Sequence, residues 1–309
     1  MHIHKLNDNN FLNNSTLTFG NFDGVHQGHM QIINKLLHIS IKSKTPSVFI
    51  TFNPHTNVAL NNNSDFKILT SLNTKIKLLK RLNVDYFCSI DFNEQFSKLS
   101  AEEFINLLIN KYNPSCIIFG YDNYFGYKRL GSYKYLKDNM KYKNINVIKV
   151  NQFYLNTAPV KTSIIKKLIN DNNIDLANKY LNRKYKITGR VIHGKNVGKE
   201  LGFPTANIEV ANEQIIPGNG VYSVNLILGS KTFVGVCNIG ICPTLKNDNI
   251  KTVEIHILDR SLILYDKNVS VEFNYFIRDE IKFETVKELK KQIISDIKFV
   301  KNERILESG

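Results

Sequence analysis

Two secondary-structure rhythms divide this chain, and they predict an α/β domain followed by an antiparallel β-barrel with a terminal helix. Three observations carry that reading. Up to about residue 182, short apolar runs alternate with helical periods, as a parallel sheet with helical crossovers requires. From Tyr185 onward, successive strand-like runs are separated by Gly, Pro, Asn and Asp turns, the pattern of a small antiparallel barrel. Each half also carries a loop with glycines four apart: Gly20, Gly24 and Gly28 in one, Gly194, Gly198 and Gly202 in the other. A length of 309 residues accommodates two ordinary domains, divided here into 1–182 and 183–309.

The first half turns on Thr18–His29, TFGNFDGVHQGH. Leu17-Thr18-Phe19 is an apolar approach; beyond the loop, Met30, Ile33 and Leu37 share a helical face, with Ile32, Leu36 and Ile39 beside it. The spacing predicts strand, tight loop, helix. Such a loop aims backbone N–H groups and the positive end of a helix dipole at whatever it holds. Gly20, Gly24 and Gly28 admit a phosphate without a Cβ in the way, Phe22 and Asp23 lie among them, and His26 and His29 can both face the bound group.

Ser47–Phe52 predicts the next strand, and Asn53-Pro54 ends it in a turn. His55 then lies on a loop at a strand's C-terminal end, where open parallel sheets bind ligands. A loop tip at Asn61–Asn63, a helix over about Leu72–Leu82 and a strand at Val84–Ile90 follow. Ser100-Ala101-Glu102-Glu103 is a capping box opening a helix that ends near Tyr112, with Pro114 as its stop. The strand Cys116–Phe119 runs into Gly120–Gly126, which contains Asp122 and Phe125 and is followed by Lys128 and Arg129. A glycine loop with a carboxylate and cations suits a ribose, a base or a phosphate. Asn144–Val150 reads as a further strand. The helix opening at Thr162-Ser163-Ile164-Ile165-Lys166 suits a phosphate, and ordinary N-capping accounts for its hydroxyls equally well.

In the second half, strands are predicted at Tyr185–Ile192, Val221–Leu228, Phe233–Ile239, Val253–Leu258 and Val269–Phe276, and a helical period returns from about Thr285 to Val300. The stretch His193–Asn207 is not a Walker A loop, because no G-K-[ST] closes it. Its glycines and cations, Lys199 among them, can still wrap a polyphosphate ahead of Pro204. The Thr205 hydroxyl and the Asn207 amide carbonyl are hard oxygen donors suited to Mg²⁺. Glu254 shares a strand face with His256, opposite Val253, Ile255 and Ile257, and Glu272 sits equally opposite Val271 and Phe273. By period alone either glutamate fits a solvated face.

A composition 42% apolar and 22% charged is that of a globular protein, and no run of 18 apolar residues predicts a membrane span. The opening MHIHKLNDNN lacks the apolar stretch of a signal peptide, so a cytoplasmic location is expected, and His2 and His4 read as part of a frayed terminus. Cys88, Cys116, Cys237 and Cys242 form no C-x-x-C or zinc spacing and read as reduced thiols. A net charge of +14 suits nucleic acid or phosphorylated small molecules. The lysines are spread along the chain with no aromatic-interleaved patch, so neither nucleic acid nor membrane is the expected partner.

The Gly20–His29 loop resembles the G-x-F-D-x-x-H-x-G-H motif of the Rossmann-like nucleotidyltransferases that attack ATP at its α-phosphate. Further motifs follow in order: Phe52-Asn53-Pro54-His55, Gly120–Gly126, and Gly194–Asn207 with its Pro204-Thr205-Ala206-Asn207. Asn238-Ile239-Gly240 with Pro243-Thr244, Val253-Glu254-Ile255-His256, and Arg278-Asp279-Glu280 with Lys282-Phe283 complete the set. Together they make nearly the whole chain similar to the bacterial bifunctional riboflavin kinase/FAD synthetase family. The resemblance implies an FMN adenylyltransferase domain over 1–182 and a flavokinase barrel over 183–309. The barrel would phosphorylate riboflavin from ATP to FMN; the first domain would adenylylate FMN to FAD, releasing pyrophosphate, and both would use Mg²⁺.

By the same resemblance His26 and His29 are catalytic in the first domain and Glu254 is the base of the second. Nucleotide contacts are implied for Gly20, Phe22, Asp23, Gly24, Gly28, Asn53, His55, Asp122, Phe125, Gly126, Ser163 and Lys166, and in the barrel for Gly194, Gly198, Lys199, Gly202 and Pro204. Thr205 and Asn207 would hold Mg²⁺ and phosphate, and Arg278 the flavin. Two departures stand out. The family's Ser-Ser-Thr-x-Ile-Arg reads Lys161-Thr162-Ser163-Ile164-Ile165-Lys166, and a Gly-Arg of the kinase loop reads Gly198-Lys199. Lysine keeps the charge but lacks the bidentate fork. The first departure motivates a second reading, a riboflavin kinase with a weakened adenylyltransferase; the charge motivates a third, a basic nucleotide- or RNA-binding protein. A homo-oligomer is left open.

Overall fold

The computed structural model describes residues 1–8, 11–61, 66–194, 197–243, 249–260 and 262–308. It separates into two units, Met1–Thr162 and Ser163–Gly309. The first runs β1 (His2–Lys5), β2 (Ser15–Phe19), α1 (Gln27–Ser43), β3 (Ser47–Asn53), α2 (Thr56–Asn61), α3 (Leu72–Arg81), β4 (Tyr86–Asp91), α4 (Glu94–Ser97), α5 (Ala101–Tyr112) and β5 (Pro114–Gly120). The hairpin of β6 (Tyr124–Phe125) and β7 (Gly131–Ser132), α6 (Tyr133–Asp138), β8 (Asn146–Val150), and the hairpin of β9 (Tyr154–Leu155) and β10 (Ala158–Pro159) complete it.

β1, β4, β3, β2, β5 and β8 lie side by side in that order, each neighbouring pair parallel. Helices cover both faces, so alternate residues of a strand enter different cores. Val48 and Ile50 of β3 pack with Phe104, Ile105 and Leu108 of α5, whereas Phe49 joins Ile33 and Leu36 of α1 and Leu79 of α3. The polar residues of β2 are satisfied inside: Ser15 donates to the Tyr112 carbonyl at 2.7 Å and Thr18 to that of Ile118 at 2.8 Å. β2 lies between β3 and β5, so the strand order reverses there and opens a crevice at the strands' C-terminal ends. Both glycine-bearing loops of this unit leave the sheet at that crevice, and the Asn123 amide joins them by donating to the Phe19 carbonyl at 2.7 Å.

Three local expectations are corrected. The N-terminus is not frayed, because His2–Lys5 form an edge strand on β4 and His4, 5% exposed, bonds the Tyr112 hydroxyl at 2.8 Å. Burial and the nearby Lys111 ammonium push the His4 imidazole pKa down. α5 is closed by left-handed Asn113 (φ 38°), and Pro114 opens β5, a position where its missing N–H is tolerated. Asn61 closes α2 rather than starting a loop, and Asn62 and Asn63 lie outside the described residues.

The second unit holds α7, which runs Thr162–Asn170, then α8 (Ile174–Leu181), β11 (Tyr185–Ile192), α9 (Val197–Glu200), β12 (Thr205–Val210), β13 (Gly220–Leu228), β14 (Lys231–Pro243), β15 (Asn249–Ile257), β16 (Asn268–Arg278) and α10 (Val286–Ser308). A closed antiparallel barrel runs β11-β12-β15-β14-β13-β16 and back to β11. Its alternating residues Ile187, Val224, Leu226, Ile239, Ile255, Val271 and Phe273 are fully buried, so the barrel is filled rather than hollow. Five of its strands match the predicted runs; β12 was not among them.

α7 and α8 group with the barrel, earlier in the chain than the change of rhythm near 183. Polar contacts link this segment to the barrel: Tyr222 donates to the Asn172 side chain at 2.6 Å, and Asn178 donates to the Phe273 carbonyl at 3.0 Å while accepting from the Tyr185 N–H at 2.6 Å. Cys88, Cys116 and Cys237 are buried and unbridged. Among the described residues no helix is long and apolar enough to cross a membrane.

Candidate active sites

In the first unit the loop after β2 is a compact knot. Phe22, Gly24 and Val25 have φ of 47°, 93° and 41°, all in the left-handed region, which a β-branched residue such as Val25 adopts only when its surroundings hold it. Asp23, 3% exposed, accepts through Oδ1 from the N–H groups of Leu69 at 2.8 Å and Thr70 at 3.1 Å. That carboxylate therefore pins the approach to α3. His26 caps α1: its Nδ1 accepts from the His29 N–H at 3.3 Å, which places the ring proton of the neutral imidazole on Nε2. Nε2 faces the Thr162 hydroxyl at 3.3 Å, and that hydroxyl donates to the Asp23 carbonyl at 3.1 Å. The His26 and His29 rings stack, centroids 3.7 Å apart, and Phe22 packs edge-on to His29. A Cβ at Gly28 would stand 3.2 Å from the His26 ring, a tight contact beside the cap.

A buried cation lies beneath this loop. Lys75 of α3 is 6% exposed and donates to the Asn21 carbonyl at 2.7 Å and the Thr51 hydroxyl at 3.2 Å. Burial pushes its pKa down to about 8 against the pull of the Asp23 carboxylate. The Asn21 side chain bridges to α2, donating to the Thr56 hydroxyl at 2.8 Å and accepting from the Thr56 N–H at 3.2 Å. Sequence reasoning missed Lys75 and Asn21. A signal for Lys75 existed: it falls on the same helical face as Leu72 and Leu79, three before and four after.

Other expected residues of this unit vary in their surroundings. Gly20 donates from its N–H to the Ile50 carbonyl at 3.1 Å. Asn53 closes β3, exposed, and His55 accepts at Nδ1 from the Asn57 N–H at 3.2 Å with its ring against Phe66. Asp122 is exposed beside Tyr121, whose phenol pKa is pushed up to about 12 by burial and by that carboxylate. Phe125 is 5% exposed and packs on Phe19 and Phe104, so its ring belongs to the core. Gly126 (φ 72°) passes α5 so closely that a Cβ would meet the Ala101 backbone at 2.6 Å. Ser163 is exposed and Lys166 half-buried, both on α7.

In the barrel, register assembles the site. Asn207 of β12 pairs with Glu254 of β15, which pairs with Asn238 of β14, so one rung carries all three. Thr205 pairs with His256 on the same face, and the Thr205 hydroxyl stands 3.5 Å from the Glu254 carboxylate. His256 is held by its Nδ1 donating to the Pro204 carbonyl at 3.0 Å. Described glycines of the loop border this rung. A Cβ at Gly194 would collide with the Asn207 amide, one at Gly198 would stand 2.5 Å from the Phe203 carbonyl, and Gly202 has φ 89°. Lys195, Asn196 and Thr244 lie outside the described residues, as does the Lys199 side chain. Glu272, the other glutamate left open by strand period, is paired with Lys186 at 2.7 Å. Arg278 holds Asp296 of α10 in a fork, Nε to Oδ1 at 3.0 Å and a terminal nitrogen to Oδ2 at 2.8 Å. Just beyond it, the Glu280 carboxylate lies where a Cβ on Gly240 would be, joining two of the motif segments.

Residues 8–164 match the FAD synthetase family and residues 181–303 the riboflavin kinase family. The chain is 41% identical over 303 residues to the bifunctional riboflavin kinase/FMN adenylyltransferase of Buchnera aphidicola subsp. Schizaphis graminum, covering 97% of this chain and 96% of that one. It is 32% identical to the protein of the same description from Bacillus subtilis and 33% identical to that from Escherichia coli, each match covering 91% of this chain and 90% of the relative. A crystal structure described as a macrolide-efflux protein from Streptococcus pneumoniae shares the fold with a TM-score of 0.89 at 27% identity, covering 98% of this chain and 99% of that one. With both family matches in the order of the two units, the chain belongs to the bifunctional riboflavin kinase/FMN adenylyltransferase family.

Proposed function

We propose that the chain carries out its family's two transfers in succession, riboflavin to FMN in residues 183–309 and FMN to FAD in residues 1–182, with ATP as co-substrate of both. The observation that carries this reading is the Asn207–Glu254–Asn238 rung beside Thr205, which sets a carboxylate and hard oxygen donors under a glycine loop.

The two nucleophiles need different help. Riboflavin offers a neutral alcohol, so a carboxylate within reach of its proton is useful. Glu254 fills that role: as the terminal hydroxyl attacks the γ-phosphorus of ATP, the new O–P bond forms, the bond to ADP breaks, and the proton passes to Glu254. The donor set fits Mg²⁺, since a hydroxyl, an amide carbonyl and a carboxylate lie on neighbouring strand positions. Thr205 and Asn207 would hold the ion, and Mg²⁺ when bound neutralises charge on the phosphates. Gly194, Gly198, Lys199, Gly202 and Pro204 form the loop over them. Arg278 serves the flavin by anchoring its segment on Asp296.

FMN brings a phosphate that is already an anion, and no base is required. Its oxygen attacks the α-phosphorus of ATP, and the bond to pyrophosphate breaks. The protein's task is to stabilise moving charge with positioned donors. Because both nitrogens of His26 are engaged, at the helix cap and at Thr162, we assign it the positioning of His29, whose imidazole meets the phosphate. Gly20, Phe22, Asp23, Gly24 and Gly28 shape the loop, Asn53, His55 and Asp122 border the nucleotide, and Phe125 and Gly126 set the second loop; for Ser163 and Lys166 the nucleotide role rests on the family resemblance alone. Small-molecule substrates and a cytoplasmic location suit this chemistry.

The test is direct. Purified protein is incubated with riboflavin, ATP and Mg²⁺, and separately with FMN, ATP and Mg²⁺, and the flavins are separated by chromatography. FMN followed by FAD in the first tube and FAD in the second are expected. FMN alone would favour the kinase with a weakened adenylyltransferase, the reading that Lys161 and Lys166 motivate. Neither product from folded protein would overturn both.

A further inference from the structure

We propose that Lys75 is a positioning residue for adenylyl transfer, its ammonium holding the Asn21 carbonyl inward under the glycine loop and adding positive charge below the polyphosphate. The inference rests on reading Gly20–His29 as the adenylyl-transfer loop.

Four geometric facts support it. Lys75 is a lysine placed inside a folded unit, 6% exposed, where an ammonium is costly unless it is used. Its partners are the Asn21 carbonyl and the Thr51 hydroxyl, neither of them an anion. A bond to Asn21 acts in the middle of the loop itself, between Gly20 and Phe22. Asn21 in turn braces Thr56, next to His55, so one ammonium ties the loops after β2 and β3 to α3. In a planar trans peptide the C=O and N–H point opposite ways, so a bond that draws the Asn21 carbonyl inward turns the Phe22 N–H outward, as a phosphate cradle needs.

The charged group facing Lys75 is the Asp23 carboxylate; the other neighbours are the Thr51 hydroxyl and the Asn21 carbonyl. Asp23 accepts through Oδ1 from the N–H groups of Leu69 and Thr70, and its charge favours the ammonium form of Lys75. With a pKa brought down to about 8, the ammonium is lost as pH rises through that value. A structural brace and a source of charge then become separable, because a neutral amine still donates hydrogen bonds but carries no field.

The experiment compares the wild type, Lys75→Met and His29→Ala in both flavin reactions, with thermal melts and with pH profiles from 6.5 to about 9.5. Lys75→Met is expected to stay folded and keep riboflavin phosphorylation, while kcat/KM for ATP in adenylylation falls roughly 10- to 100-fold, the range typical of groups that orient a reactive shell. The alkaline fall of the wild-type reaction near pH 8 should be missing from the residual activity of Lys75→Met. Lys75→Gln replaces it if the methionine variant does not fold. Wild-type adenylylation by either folded variant overturns the inference, as does a loss that follows the melting temperature while the alkaline fall persists. Full adenylylation by His29→Ala would instead overturn the reading of the loop.

Discussion

The two glycine loops of this chain share a spacing and differ in how they are held. The loop after β2 is gripped from below, by the Asp23 carboxylate on two backbone N–H groups, the Lys75 ammonium on a carbonyl and the His26 cap on α1. The barrel loop borders a rung of side chains from three strands, with Gly194 beside the Asn207 amide and Gly198 beside the Phe203 carbonyl. On the proposed roles, the difference follows the nucleophile. An anionic phosphate would be served by a fixed field of donors, which a strand–loop–helix junction supplies from backbone. A neutral alcohol would be served by a carboxylate base, which cross-strand pairing sets beside Thr205 and Asn207.

The largest effect expected from breaking the comparison is at Glu254. Glu254→Gln should lower riboflavin phosphorylation by about 10²- to 10⁴-fold, the worth of a positioned base, and leave FMN adenylylation intact, measured as initial rates of the two flavin products. His29→Ala should do the converse, lowering adenylylation by roughly 10²- to 10³-fold, the worth of one positioned donor, while the barrel works normally. A smaller effect in the opposite direction sharpens the contrast. Lys166→Arg restores a bidentate fork to the start of α7, and a gain of a few-fold in adenylylation with phosphorylation unchanged is expected, roughly 1 kcal/mol or less. The smallest is at Glu272. Its ion pair with Lys186 is about one-quarter exposed on each side, so Glu272→Gln should cost no more than about 1 kcal/mol in a denaturant melt and spare both activities.

What was legible in the sequence follows from range. The Gly20–His29 loop is local, and glycines, imidazoles and a helical period within a few turns suffice to read it. β2, β3 and β5 are apolar enough to stand out. β1 was missed because His2–Lys5 has no apolar run and becomes a strand only by pairing with β4, far along the chain. β12 was missed for the opposite reason: Thr205 and Asn207 drew attention as ligands, while the alternation through Ile208 that makes a strand went unread. The contact of Thr162 with His26 spans 136 residues and that of Lys75 with Asn21 spans 54, and no local pattern announces either. Glu254 and Glu272 look alike by period and part company only in the barrel, where one faces Thr205 and the other Lys186.

If the two transfers are independent, as proposed, FMN released by one copy of the chain is a substrate for another. The measurement is an equimolar mixture of His29→Ala and Glu254→Gln supplied with riboflavin, ATP and Mg²⁺, with flavins followed by chromatography. Either variant alone should make FAD from riboflavin only at its strongly reduced rate. The mixture should make it much faster, because FMN released by the barrel of one is adenylylated by the loop of the other. A mixture of folded variants that makes FAD no faster than either variant alone would contradict the account.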